Sequence, residues 1–330
     1  DMAQAVSKEA QDQFRFSGSK PIDLELTNTL PLGTSLMIQS ADLPGIVSTV
    51  LGFARAMATT QGINPEIITD GWKRSLEALK ASSGVDLEAE IISALGSDFA
   101  SFVTFVPGEL GTSPFLSAVD PRAKMDLSSL NAGFVARIND TAKGEALLKR
   151  VVGYLSQAAE NNPELVISER DLGGVTVTAV TITAPSYEAP VEIIVGYSGN
   201  TFIISTTGAL DVSGQLEDSP AYGEALKYLL PNPTSLWYME PSGLSLFLDL
   251  QASIGVATAR IFRNISRNLM STPVATPESE GAEIDADVAI FKEAQASLRP
   301  LAALISSGTI STAASATGDA LIRMVLTLGD

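Results

Sequence analysis

Glu164-Leu-Val-Ile-Ser-Glu-Arg-Asp-Leu-Gly-Gly174, Val175-Thr-Val-Thr-Ala-Val-Thr-Ile-Thr-Ala184, Val191-Glu-Ile-Ile-Val-Gly-Tyr197 and Thr201-Phe-Ile-Ile-Ser-Thr206 follow one another with short breaks between them. Val, Ile, Thr and aromatic side chains dominate the runs, and such side chains pack well on a pleated surface. Gly173-Gly174, Pro185 to Pro190 and Ser198-Gly199-Asn200 supply the backbone angles that reversals need. Val175, Val177 and Ala179 alternate with Thr176 and Thr178, the pattern of one buried and one wet face. The segment predicts an antiparallel meander, around which the remaining elements are expected to be arranged.

Working outward, the chain has 330 residues, of which 45% are apolar and 18% charged, so it is long enough and apolar enough to bury a core. With 21 Lys plus Arg against 38 Asp plus Glu, the net charge is −17. A surface that acidic repels phosphate backbones and anionic membrane surfaces, which argues against a nucleic-acid partner. There is no Cys and no His. Thiol catalysis, disulfides, Ser-His-Asp triads and His-based metal sites are therefore excluded. No apolar run approaches the ~20 residues that span a bilayer; Gly243 to Ala257 is interrupted by Asp249 and Gln251. Any membrane attachment is expected to come only through an N-terminal anchor preceding Asp1.

Residues 1–20 read as a polar tail or linker, and residues 21–330 as one α+β region with two candidate halves, 21–140 and 141–330. Leu30 to Gln39 is a turn feeding a strand, and Asp42-Leu43-Pro44 opens a helix with its apolar stripe at Ile46, Val50, Phe53, Ala54 and Met57. Helices are expected over 65–81 and 86–95, strands over 99–106 and 133–139, and a long loop over 107–128 between the two strands. Asp140 caps a helix with its stripe at Leu147, Val151, Tyr154, Leu155 and Ala158. Ser219-Pro220 opens another, running to Leu230. A strand over 235–240, a helix over 244–268, a mobile loop over 271–286, a helix over 287–305 and a closing hairpin over 309–328 complete the chain. Leu30-Pro-Leu-Gly-Thr-Ser-Leu36 recurs as Leu230-Pro-Asn-Pro-Thr-Ser-Leu236, a hint of internal duplication.

Three stretches carry a family resemblance: Gly84-Val-Asp-Leu-Glu-Ala-Glu-Ile-Ile-Ser-Ala-Leu-Gly-Ser-Asp-Phe-Ala100, Tyr197 to Thr206 followed by Ser219-Pro220-Ala-Tyr222, and Leu230-Pro-Asn-Pro-Thr-Ser-Leu-Trp-Tyr238. Together they resemble the domain-of-unknown-function 3352 family over residues 30–328, in motifs of Gly, Leu and small residues that serve folding. The resemblance implies an extracytoplasmic bacterial protein, often with an upstream membrane anchor. It offers no catalytic residues to carry over.

Ser17-Gly-Ser-Lys20 matches Ser-x-x-Lys, but lies in a polar tail without the accessory Ser-Asp-Asn and Lys-Thr-Gly motifs. The nearest carboxylate pairs are Glu88 with Glu90, Glu169 with Asp171, and Asp285 with Asp287; Asp98 reads as a turn former. Glu278, Glu280, Glu283, Asp285 and Asp287 are dense enough in oxygen ligands to be Ca²⁺ candidates, though no Asp-x-Asp-x-Asp-Gly loop is present and a solvated acidic loop is the simpler reading. Asn139-Asp-Thr141 and Asn264-Ile-Ser266 are glycosylation sequons. Trp72, Trp237 and Tyr238 are groove candidates, with Trp237 assigned to the core.

The sequence therefore points to an α+β protein, an antiparallel sheet with amphipathic helices packed on it. No cofactor and no catalytic residue is expected. The role read from it is a non-enzymatic extracytoplasmic module of structure or protein contact at the cell surface, with a protein partner or self-association. Edge strands such as Ala320 to Leu328 are available to pair with another copy. The alternatives are a carrier enclosing a lipid or other hydrophobic ligand and, third, a His-free carboxylate hydrolase.

Overall fold

The alternating runs of the sequence become strands β1 (Thr34–Ser40), β2 (Leu95–Phe105), β3 (Leu130–Ile138), β4 (Leu165–Leu172), β5 (Val175–Ile182), β6 (Val191–Ser198), β7 (Thr201–Thr206), β8 (Ser235–Met239), β9 (Ile305–Ala314) and β10 (Ala320–Leu328). The computed structural model describes residues 20–28, 30–41, 55, 64, 66–84, 86, 90, 94–109, 113–172, 175–207, 214–269, 277–314 and 320–329, with the backbone alone for 79, 82–83, 96–97, 172, 198, 261–262, 264–269, 277–280, 314 and 320. The expected helix with its stripe at Ile46 to Met57 lies outside the described residues, as does most of the helix expected over 86–95. Described helices are α1 (Glu25–Asn28), α2 (Glu66–Ser83), α3 (Leu116–Val119), α4 (Thr141–Glu160), α5 (Pro220–Leu226), α6 (Pro241–Leu269) and α7 (Pro277–Ala302). The fold is α+β.

All ten strands join one antiparallel sheet in the order β10-β9-β8-β1-β2-β3-β7-β6-β5-β4. The predicted meander β4 to β7 forms as read, but at one end of the sheet rather than at its centre. On each side of the β1/β8 pair the order repeats: β1, a helical excursion, then the β2–β3 hairpin, matched by β8, α6 and α7, then the β9–β10 hairpin. The repeated units span 34–138 and 235–328, with the meander extending the first of them. The Leu30 to Leu36 and Leu230 to Leu236 match is not their structural register. Leu36 pairs with Met239 whereas Leu236 pairs with Gln39, so the two leucines point to opposite faces.

One face is covered by the chain around α1 and α5. Met37, Ala100, Phe102, Val135, Leu236 and Tyr238 pack there against Leu26, Leu30, Leu216, Tyr222 and Ala225. Removing an aromatic or aliphatic side chain of this size from water contributes ~1.5–3 kcal/mol. On the other face Phe99, Ala136 and Ile138 pack with Phe134, Tyr197 and Phe202. Helix α4 presses there through Gly144, whose missing Cβ would stand 3.2 Å from the Tyr197 hydroxyl and 3.3 Å from Ile138. Asp140 caps α4 by accepting from the Lys143 amide at 3.1 Å, and Ser219 caps α5 by accepting from the Tyr222 amide at 3.3 Å. Both caps were legible as sequence.

Several boundaries differ from the sequence reading: β2, β3 and β9 begin at Leu95, Leu130 and Ile305 rather than at 99, 133 and 309, and the helix expected over 287–305 ends at Ala302. The loop over 107–128 contains α3, whose Leu116 and Val119 pack on Ala252, Val256, Val288 and Phe291 of the α6–α7 pair. Helix α5 stops at Leu226, short of Leu230. The expected mobile loop over 271–286 is wrong from Pro277 onward, where α7 begins. Pro is tolerated in a first turn and acidic residues are common there, so a composition that suits a loop equally suits a helix start.

Candidate functional site

The sequence-derived carboxylates do not converge. Glu169 and Asp171 are exposed on β4, the outer strand of the meander, where Asp171 pairs with Thr176 near the end that leads to β5. Their neighbour Arg170 pairs with Glu192 at 2.6 Å. Glu88 lies outside the described residues, and Glu90 is paired with Arg150. Asp98 accepts the Asp23 amide at 3.3 Å, and Arg137 donates to Asp23 at 2.9 Å, pinning the start of the described chain to the sheet. Burial pushes the Asp98 carboxyl up, with the Asp23 amide opposing. The Ser-x-x-Lys serine, Ser17, is outside the described residues.

The Ca²⁺ candidates are distributed along α7 rather than around a loop. Asp285 meets Arg122 at 2.7 Å, Glu283 meets Arg263 at 3.6 Å, and buried Asp287 accepts from Arg260 at 2.9 Å and Arg263 at 2.7 Å. The side chains of Glu278 and Glu280 fall outside the description. Among the described residues no three Asp or Glu side chains are grouped to hold a metal. A residue missed by the sequence reading completes the ion-pair set: buried Asp249 on α6 accepts from Gln295 at 2.9 Å and from Arg299 at 2.9 Å on α7. These contacts clamp one helix to the other, and no local pattern announces them. Asn139 is exposed just before α4, while the Asn264 side chain is outside the description.

The groove candidates separate by strand parity. Tyr238 is fully buried and Trp237 is 36% exposed on the opposite face, so Trp237 is not core. Pairing decides this: Trp237 sits between Ile38 and Ile310 in one cross-strand row, and Tyr238 between Met37 and Thr309 in the next. Trp72 is half-buried on α2. Tyr238 donates to Glu240 at 2.8 Å and meets the ring of Tyr222 edge-on with centroids 5.2 Å apart; the Tyr222 and Thr27 hydroxyls are 2.8 Å apart. Burial, then the nearby Glu240 charge, raises the Tyr238 phenol well above its ordinary range; burial likewise raises Tyr222. Burial pushes the Glu240 carboxyl up, with hydrogen bonds from Tyr238 and Ser219 opposing.

A phenol whose pKa is raised by folding contributes stability that is whole below about pH 10 and lost as pH rises through the folded value. Urea unfolding is accordingly expected to show stability falling as pH rises above 10, with a shallower fall in Tyr238→Phe. Equal slopes would mean that Tyr238 ionises freely in the folded protein.

A groove of about 600 Å³ is lined by Glu90, Lys143, Ala146, Leu147, Lys149 and Arg150, but two of its charges are already paired across it. The surface with the least explanation is β10, at the end of the sheet opposite β4. Leu321, Ile322, Met324, Leu326 and Leu328 are between 46% and 70% exposed, and β10 pairs on its outer side with no described strand. Ile322, Met324 and Leu326 stand on the face of Ile310 and Trp237, because Met324 pairs with Ile310 and Ile310 with Trp237. Leu304, also exposed, adjoins the strand where its carbonyl accepts the Gly329 amide at 3.1 Å. Edge strands are ordinarily blunted by charges, Pro or bulges. The β4 edge is guarded by Glu169, Arg170 and Asp171, whereas β10 carries one charge, Arg323, turned onto the Tyr228 and Leu229 carbonyls at 3.3 Å.

A family model described as "Protein of unknown function (DUF3352)" matches residues 2–247. The chain belongs to that family. The family match takes in β1 to β8 and the start of α6; the rest of α6, α7, β9 and β10 lie beyond it. No curated protein and no solved structure matches the chain. No helix among the described residues is long and apolar enough to cross a membrane.

Proposed function

We propose that this member of the DUF3352 family is a non-enzymatic, extracytoplasmic module that acts through protein contact at the cell surface. One observation carries the reading: an apolar edge strand, β10, that no other described strand covers, on a protein of net charge −17. Exposed strand edges bind other proteins by adding a strand, with main-chain hydrogen bonds giving affinity and alternate side chains giving specificity. A long apolar edge is otherwise an aggregation liability, so its presence calls for a partner that covers it. The acidic surface supports a protein rather than a nucleic acid as that partner. Location outside the cytoplasm is supported by the character of the family that the chain resembles.

The test is a photo-crosslinking amino acid in place of Ile322, introduced into the chain in its native host. Adducts of protein size at residue 322, absent when the same group replaces exposed Ser168 on β4, are expected. Adducts of lipid size would move the carrier reading to first place. A β10 position that crosslinks to no protein would end the contact reading.

A further inference from the structure

Among the described residues the two repeated units differ at their outer edges: β3 is paired there with another strand, and β10 is not. β7 lies antiparallel along β3, with Phe134 beside Ile204 and Val135 beside Ile203. β10 holds the equivalent place in the second unit, one hairpin removed from the β1/β8 pair. The fold thus shows what completes such an edge, an antiparallel strand with an apolar middle, Phe202-Ile203-Ile204. We propose that a second copy of this chain supplies it, β10 pairing antiparallel with β10 about a two-fold axis; this rests on the protein-contact reading above.

Three observations favour a second copy as the occupant. First, the strand is complementary to itself. A two-fold axis through the middle of an antiparallel pair sets residues of like parity side by side. With the axis at Met324, Ile322 lies beside Leu326 of the partner subunit, so Ile322, Met324 and Leu326 of both copies form one apolar strip. Second, the strip itself is uncharged, so the repulsion between two acidic copies is not focused at the contact. Each copy carries −17 overall, yet the only charged side chain in β10 is Arg323, which points away from the strip and is held by the Tyr228 and Leu229 carbonyls. Third, the other open edge of the described sheet cannot serve equally well. β4 presents Glu169, Arg170 and Asp171, and a β4-to-β10 contact would be head-to-tail and propagate without closing. The β10 pair closes, and Leu304 beside it widens the contact beyond the strands themselves.

The absence of Cys makes the test direct, since any introduced thiol is unique. Sedimentation velocity of the full chain is expected to show a monomer–dimer equilibrium. Leu326→Lys, which places a charge at an exposed position, is expected to weaken dimerisation at least tenfold while leaving the circular dichroism spectrum unchanged. Single cysteines placed in turn at residues 322 to 326 are expected to give a disulfide-linked dimer under mild oxidation at the position nearest the axis. A wild-type chain that stays monomeric, or a dimer indifferent to Leu326→Lys and to every one of these cysteines, overturns the self-pairing. A monomer in solution whose residue 322 still crosslinks to a different protein in the host overturns self-pairing alone. A monomer that crosslinks to no protein ends the contact reading as well.

Discussion

Asp287→Ala is expected to destabilise the protein by about 3 kcal/mol, since removing one partner of a buried ion pair leaves the others uncompensated. Asp287 is 1% exposed and receives hydrogen bonds from both Arg260 and Arg263. Those arginines keep part of their side chains in water, at 21% and 31% exposure, so they can partly resolvate and the loss stays near the lower end of the range. Burial acts to raise the Asp287 carboxyl, but the hydrogen bonds from Arg263 and Arg260 outweigh it and hold the group below the usual carboxylate range. A depressed folded pKa means the contribution is present above about pH 4 and fades as pH falls through the folded value. Urea unfolding at neutral pH and at pH 3 should therefore show a gap between wild type and variant that narrows in acid. A gap that is absent at neutral pH, or unchanged in acid, would contradict the clamp.

Gly243→Ala is expected to destabilise by about 2 kcal/mol, against the ordinary trend of helices. In an open helix Ala is better than Gly by up to about 1 kcal/mol. Here the added Cβ would meet the Ser35 carbonyl oxygen, stand 2.8 Å from the Ser35 carbonyl carbon, and lie 3.3 Å from Met239 Cγ. Ser35 cannot give way cheaply. It sits in β1 between two paired strands, its carbonyl accepts the Glu240 amide at 2.8 Å, and its hydroxyl donates to the Phe105 carbonyl at 3.2 Å. Gly255, in the same helix, has nothing within 4 Å of its missing Cβ, so Gly255→Ala is expected to stabilise by roughly 0.5–1 kcal/mol. Thermal melts of the two variants with the wild type between them are the expected result. Two shifts of the same sign would mean that α6 does not rest on β1 in this way.

What could be read from the sequence follows from how far apart the deciding residues lie. The Val175 to Ile182 alternation, the Asp140 and Ser219 caps and the β9–β10 hairpin are settled within a few residues, and each formed as expected. Strand order is not local. β7 lies beside β3 rather than ending a free-standing meander, and the pairs from Gly133–Ser205 to Arg137–Thr201 that establish it join residues far apart in the chain. The same holds for Trp237 and Tyr238, neighbours whose fates depend on which β1 residue each faces. Asp249 and Arg299 are separated by 50 positions, so their ion pair leaves no mark in either neighbourhood. At α7 composition itself misled, because Pro277 with acidic residues suits a loop and a helix start alike. That Ala320 to Leu328 is an edge strand is legible in the sequence and holds among the described residues, but the row that Met324 forms with Ile310 and Trp237 is not legible there, because it depends on strands far apart in the chain.

The most direct measurement is a native mass spectrum of the chain purified gently from its own host, recorded beside Leu326→Lys prepared identically. The expected result is wild type carrying an additional protein mass, its own or another's, that the variant lacks. A monomer carrying a lipid-sized mass, or a bare monomer in both preparations, would contradict a role in protein contact through β10.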